Sequence, residues 1–141
     1  PMTSTDIGTV FEIAESIWGP DYYESPEVFL QRLEWWPAGC WMYEDKGYLI
    51  SHPSQYRCPP KLNSFVKYHY TDCYHIHDIC LLQEAQGQGI ADNILNKFWD
   101  WPVVTLVAAN ETATYWSSKG FQPKKQLDYG QYMVKRYDHN N

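Results

Sequence analysis

Tyr74-His75-Ile76-His77-Asp78-Ile79-Cys80-Leu81-Leu82-Gln83-Glu84-Ala85-Gln86-Gly87-Gln88-Gly89-Ile90-Ala91 is the stretch on which the fold turns. From Tyr74 to Leu82 it is an apolar run of strand length, read as a buried strand. Gly87-Gln88-Gly89 then leads into a helical pattern with Ile90, Ile94, Leu95 and Phe98 on one face, closed by Pro102. Downstream, Val103 to Ala109 is a second apolar strand. Glu111 to Lys119 reads as a short helix capped by Asn110 and ended at Gly120, and Phe121 to Tyr137 holds two more strands. Upstream, Ile7, Val10, Phe11, Ala14, Ile17 and Trp18 recur at helical spacing until Gly19-Pro20. Ser25-Pro26 then starts a second helix, whose stripe Phe29, Leu30, Leu33, Trp36 ends before Pro37. Cys40 to Glu44 and Tyr48 to Ser51, joined by Asp45-Lys46-Gly47, form a hairpin. From His52 to Asp72 no period is evident, and loops that long are usually lids or binding loops. The order ααββ, loop, βαβαββ predicts an α/β fold with a mixed sheet.

With 141 residues, 44% of them hydrophobic and 17% aromatic, the chain is expected to form one domain over 1–141 with a substantial core. Lys+Arg 11 against Asp+Glu 17 gives a formal charge of −6, and no basic cluster is present, which argues against a nucleic-acid partner and favours a neutral or cationic small substrate. No apolar run is long enough to span a membrane and no secretion signal opens the sequence, so a cytoplasmic location is expected. Cys40, Cys58, Cys73 and Cys80 contain no Cys-x-x-Cys pair and read as reduced thiols.

Glycines between a strand and a helix let backbone approach a ligand closely, and the free amides of the helix start suit negative oxygens. The turn at Gln86 to Ala91 has that character. It lacks the Gly-Lys-Ser/Thr of a nucleotide P-loop and the third glycine of the dinucleotide fingerprint. Gln86-x-x-Gly89-x-Ala91 after the strand Ile79 to Leu82 resembles the acetyl-CoA motif of the GNAT N-acetyltransferase superfamily, Gln/Arg-x-x-Gly-x-Gly/Ala. The strand from Val103, then Asn110, Ala113 and Tyr115-Trp116-Ser117-Ser118-Lys119-Gly120-Phe121, resembles that family's following motif.

The resemblance covers nearly the whole chain and implies a single-domain GNAT fold with a mixed, mostly antiparallel sheet flanked by helices. It implies acetyl-CoA as co-substrate. The backbone of Ile79, Cys80 and Leu81 would pair with the pantetheine arm, Gln86, Gly87, Gln88, Gly89, Ile90 and Ala91 would hold the pyrophosphate, and Asn110 would meet the arm from its other side. Taken singly, the apolar members also suit plain core packing and Asn110 plain helix capping; their joint spacing carries the functional reading. Two departures stand out. Only Pro1 to Thr5 precede the first helix, where the family has a strand, and Trp116 occupies the position of the family's tyrosine, with Tyr115 one place earlier.

Cys73, His75 and His77 alternate along the strand and share a face, with Cys80 on the other unless a bulge intervenes and Asp78 facing away. Three readings are open. The two imidazoles are satisfied polar groups at a sheet edge, or zinc ligands with Cys73, or the general base of an amine acetyltransferase. An alkylammonium with a pKa near 10 offers only about one part in a thousand of free amine at neutral pH, so a base at the site has work to do. His75-Ile76-His77 resembles the His-x-His strand of the arylalkylamine N-acetyltransferases, in which both imidazoles relay the proton.

By the same resemblance the first-helix exit and the long loop cover the acceptor. Trp18, Tyr22 and Tyr23, with the loop aromatics, supply faces for an amine with an apolar or cationic body. The expected activity is therefore acetyl transfer from acetyl-CoA to a small primary amine, arylalkylamine or polyamine-like. His77 and His75 would act as base, a strand N–H near Leu81 would steady the oxyanion, and Tyr115 would be the acid. The alternatives are a CoA-binding scaffold without transfer and a zinc hydrolase using His75 and His77.

Overall fold

In the computed structural model, residues 1–97, 100–109 and 112–137 are described. Helix α1 (Ile7–Trp18) follows a turn in which the Thr3 amide donates to Asp6 Oδ2 (2.8 Å), and it ends at Gly19, whose φ of +71° is left-handed. Its buried face is Ile7, Val10 and Ile13. Helix α2 (Pro26–Trp35) has proline in its first turn after an extended Ser25 and buries Val28, Phe29 and Leu33. Each such side chain contributes roughly 1.5–3 kcal/mol of burial.

The strands are β1 (Cys40–Met42), β2 (Gly47–Ser54), β3 (Cys73–Leu81), β4 (Val103–Ala108), β5 (Gln122–Leu127) and β6 (Gly130–Arg136), in the sheet order β1-β2-β3-β4-β6-β5. Among the described strands only β3 and β4 pair in parallel. The expected mixed, mostly antiparallel sheet is thus present. Helices α1 and α2 cover one face, packing on Cys40, Tyr48, Ile50 and Cys80. Helices α3 (Ile90–Asn96) and α4 (Ala113–Ser118) cover the other, where Ile94, Leu95 and Trp116 meet Leu49, Ile76, Leu106 and Met133.

The boundary between β2 and the long loop differs from the sequence reading. Strand β2 runs on through His52, Pro53 and Ser54, residues assigned above to the loop. Pro53 is tolerated because β1 pairs no further than Ile50, so β2 has a free edge there. The aperiodic loop is accordingly residues 55–72. Phe98, Asn110 and Glu111 lie outside the described residues, and with them the expected cap and pantetheine contact of Asn110. No described helix is long and apolar enough to cross a membrane.

Candidate active site

The sheet opens in its middle. β3 and β4 pair only at Tyr74↔Val104, His75↔Thr105 and Ile76↔Leu106, and beyond Ile76 the two strands no longer pair with each other. The resulting cleft, about 780 Å³, is lined by Ile79, Cys80 and Leu81 on one side and by Thr112, Tyr115 and Trp116 on the other. Gln86, Gly87, Gly89, Ile90 and Ala91 close its end. Gly87 (φ +78°) and Gly89 (φ +74°) are both left-handed. A Cβ on either would meet no protein atom within 4 Å, so glycine is required here by backbone sign and the space belongs to the cleft. Gln86 Nε2 donates to the Leu81 carbonyl (3.0 Å), fastening the turn to the strand end. Gln88 does not line the cleft; its amide turns back to the Glu84 carbonyl (3.1 Å). Lys119, which the motif reading passed over, adds a cation at the rim, where it pairs with Asp92 at 2.8 Å.

A bulge determines what lies behind the cleft. Ile76 pairs with Ser51 and Asp78 with Ile50, leaving His77 as the extra residue. The alternation therefore reverses, and Asp78 does not face away as expected: His77 and Asp78 line the same chamber. Cys80 likewise joins the α1/α2 face. The chamber holds about 70 Å³ and is bounded by Trp18, Tyr22, Glu24, His77, Asp78 and Tyr129 together with Pro60 and Leu62 of the loop. A narrower slot between β3 and β4, lined by Ile76, Leu106 and Trp116, lies between chamber and cleft, and Trp18 is a wall of all three.

His77 Nε2 stands 2.8 Å from Glu24 Oε1, with both side chains under 10% exposed. Burial pushes the Glu24 carboxyl up, but the His77 charge, its hydrogen bond, the Asn63 N–H (3.0 Å) and Arg32 together hold it below its ordinary value. When His77 is neutral, an ionised Glu24 accepts the Nε2–H and leaves Nδ1 as the nitrogen with the free lone pair. Neither Glu24 nor Tyr129 was singled out from the sequence. Glu24 follows Tyr22 and Tyr23 at the exit of α1, but its partner is 53 residues away and no local pattern announces the pairing.

His75 is fully buried with Nδ1 2.8 Å from Thr105 Oγ1, and burial with the neighbouring His52 and His77 drives its pKa well down, so it is neutral. Its ring centroid is 6.3 Å from that of His77. Tyr23 lies away from the chamber, 45% exposed and edge-on to Phe11. Trp116 packs into the core against Phe121, whereas Tyr115 is half exposed on the cleft wall. The zinc arrangement does not assemble. Cys73 Sγ donates to the Ser54 carbonyl, His75 and His77 are engaged as above, and no group of three or more His, Cys, Asp or Glu suited to a metal occurs among the described residues.

Burial raises Asp78 to about 6, while the Tyr48 hydroxyl (2.5 Å) and His77 pull it down and Glu24 adds to the rise. The folded state thus holds its proton more tightly than the unfolded chain, and Asp78 costs stability as pH rises through about 4 to 6. Asp78→Asn is expected to be about 2 kcal/mol more stable than the parent at pH 7.5 and no more stable at pH 4. Urea titrations at the two pH values check this; equal differences at both would remove the ionisation argument.

Comparison with known proteins fits this geometry. No curated protein sequence matches the chain. Among solved structures, the loading GNATL domain of CurA from Lyngbya majuscula superposes with a TM-score of 0.76 at 14% identity, over 99% of this chain and 96% of that one. The GphF GNAT-like decarboxylase in complex with isobutyryl-CoA gives 0.70 at 9% over 97% of each chain. The PaiA N-acetyltransferase from Thermoplasma acidophilum, in complex with coenzyme A, gives 0.65 at 14% over 96% of each. At such identities the likeness is one of fold. The acetyltransferase (GNAT) family model matches residues 9–102, which take in most of α1, the histidine strand and the glycine turn, and the chain therefore belongs to the GNAT acetyltransferase family.

Proposed function

We propose that residues 1–141 act as one acetyl-CoA-dependent N-acetyltransferase domain whose acceptor is a small primary amine, arylalkylamine or polyamine-like. The observation that carries this is the buried His77–Glu24 pair on the wall of an acidic chamber, with a slot between that chamber and a cleft of coenzyme dimensions. Glu24 and Asp78 attract an ammonium group; the amine loses its proton to His77 Nδ1, and its lone pair attacks the thioester carbonyl. Glu24 stabilises the imidazolium that results. His75, neutral and tied to Thr105, holds the His77 ring in place or passes its proton onward. A strand N–H near Leu81 steadies the oxyanion. The thiolate leaves with a proton from Tyr115, whose hydroxyl keeps access to the cleft because Trp116 takes the core position.

For the donor, the backbone of Ile79, Cys80 and Leu81 borders the pantetheine path. The turn from Gln86 through Gly87, Gln88, Gly89 and Ile90 to Ala91 receives the pyrophosphate, and Asn110 keeps the role its motif position implies. Cys40, Cys58, Cys73 and Cys80 are free thiols, and burial pushes Cys40 to about 11 and Cys73 to about 12, a set that suits a reducing cytoplasm.

The test is thiol release from acetyl-CoA with a panel of primary amines, with the acetylamide identified by mass. Release with at least one amine is expected. Binding of acetyl-CoA by calorimetry with no release for any amine would establish the second reading, a CoA-binding scaffold, which Trp116 favours because an indole cannot serve as the acid. Decarboxylation of an acyl thioester that bears a free carboxylate is disfavoured on electrostatic grounds, since Glu24 and Asp78 would repel that carboxylate.

A further inference from the structure

The loop over the acceptor chamber is fastened unevenly. On the α2 side it is pinned repeatedly: Asn63 N–H to Glu24, Ser25 N–H to Asn63 Oδ1 (2.8 Å), Arg32 Nη1 to the Ser64 carbonyl (2.9 Å) and Val66 N–H to Gln31 Oε1 (3.2 Å). At its start the Arg57 N–H reaches the Tyr132 hydroxyl (3.1 Å). Between Arg57 and Asn63, among the described residues, the hydrogen bond that joins the loop to the rest of the fold comes from Tyr129, in the turn between β5 and β6, whose hydroxyl donates to the Pro60 carbonyl. Tyr129 and Pro60 are themselves walls of the chamber.

We propose that this Tyr129–Pro60 latch is a size gate that makes Tyr129 a specificity-determining residue: closed, it admits short unbranched alkylamines, and an aryl ring or a polypeptide amino terminus enters only when it is released. The proposal rests on the reading of the chamber as the acceptor site and narrows it. A chamber of about 70 Å³ holds roughly five to seven water-sized bodies at 10–15 Å³ each. Propylamine, with four non-hydrogen atoms, is within that limit; 2-phenylethylamine, with nine, exceeds it, and a peptide terminus exceeds it further. Strands β5 and β6 and the pinned half of the loop are fixed by the sheet and by α2, so the unpinned sector at Pro60 is where extra bulk must be accommodated. Burial and the Glu24 charge raise the Tyr129 hydroxyl to about 12, which keeps it a donor to Pro60 throughout the working pH range.

The experiment compares kcat/KM for propylamine, 2-phenylethylamine and a heptapeptide with a free amino terminus, using the parent and Tyr129→Phe. The parent is expected to prefer propylamine to 2-phenylethylamine by about tenfold or more, and Tyr129→Phe, which keeps the ring and deletes the latch, to reduce that preference to about threefold or less. Leu62→Ala, which widens the same wall without touching the latch, is expected to favour 2-phenylethylamine in the same direction, so a poorly folded Tyr129 variant does not leave the gate untested. A parent that acetylates 2-phenylethylamine or the peptide as fast as propylamine overturns the gate while leaving amine transfer in place. A preference that survives in both variants also overturns it. Acetyl-CoA binding with no transfer to any of the three would sink the underlying acceptor reading.

Discussion

His77→Ala is expected to lower turnover at neutral pH by about 10²–10⁴, the usual contribution of a general base. Much of the loss should return at high pH, where the amine deprotonates without help. The geometry makes the prediction specific. Glu24 fixes the ring through Nε2 at 2.8 Å, and its carboxylate is itself held by the Asn63 N–H, so the basic nitrogen is aimed by a chain running from the loop into the strand. Removing the imidazole leaves Glu24 buried without its counter-charge, and burial then dominates and raises its pKa. The neutral carboxylic acid that results is a poor base, which is why it does not replace the histidine at pH 7. His77→Gln, which keeps a donor for Glu24, separates fold from chemistry: its melting temperature should stay nearer the parent's while its turnover falls as far. Steady-state pH profiles of the parent and both variants decide it, and profiles of unchanged shape and height would return His77 to a structural role.

Much of this site was legible because its signals are local. The α1 stripe, Ser25-Pro26, the apolar run into Gly87-Gln88-Gly89 and the second strand each specify their element within a few residues, and the sheet assembles from them. The glycine turn was readable for the same reason, since two left-handed residues in a row of short spacing leave few alternatives to glycine. Three things were not readable. The bulge that turns Asp78 toward His77 depends on how β2 and β3 register, and a one-residue slip leaves no mark on either strand's composition. The Glu24 and Tyr129 contacts join segments 53 and 69 residues apart in chain order. His52 to Ser54 were lost to the loop because Pro53 ordinarily argues against a strand, and only the short β1 makes an edge there.

Gly39→Ala is expected to destabilise the fold by about 3 kcal/mol, at the upper end of what overpacking costs, and to lower the melting temperature by about 10 °C. A Cβ at Gly39 would lie 2.0 Å from the Ser51 carbonyl oxygen and 2.6 Å from the Tyr74 hydroxyl, and the nearer atom is backbone, which cannot swing aside. Ser51 Oγ also donates to the Gly39 carbonyl (2.8 Å) and shares a hydrogen with Tyr74 Oη, so the turn at Pro37–Gly39 is clasped onto β2. The consequence reaches the chemistry through register. Ser51 is the β2 residue beside the bulge, and displacing it disturbs the pairing that sets His77 and Asp78 side by side. Turnover should therefore fall along with stability, while acetyl-CoA affinity, which the proposed function assigns to the distant turn at residues 86–91, should stay near the parent's when measured well below the melting point. Thermal melts, calorimetry with acetyl-CoA and thiol release on the same preparation give the three readings. Ordinary turnover with the lowered melting temperature would show that the bulge does not need the clasp, and a melting temperature within about 2 °C of the parent's would show that the turn is not packed on Ser51 at all.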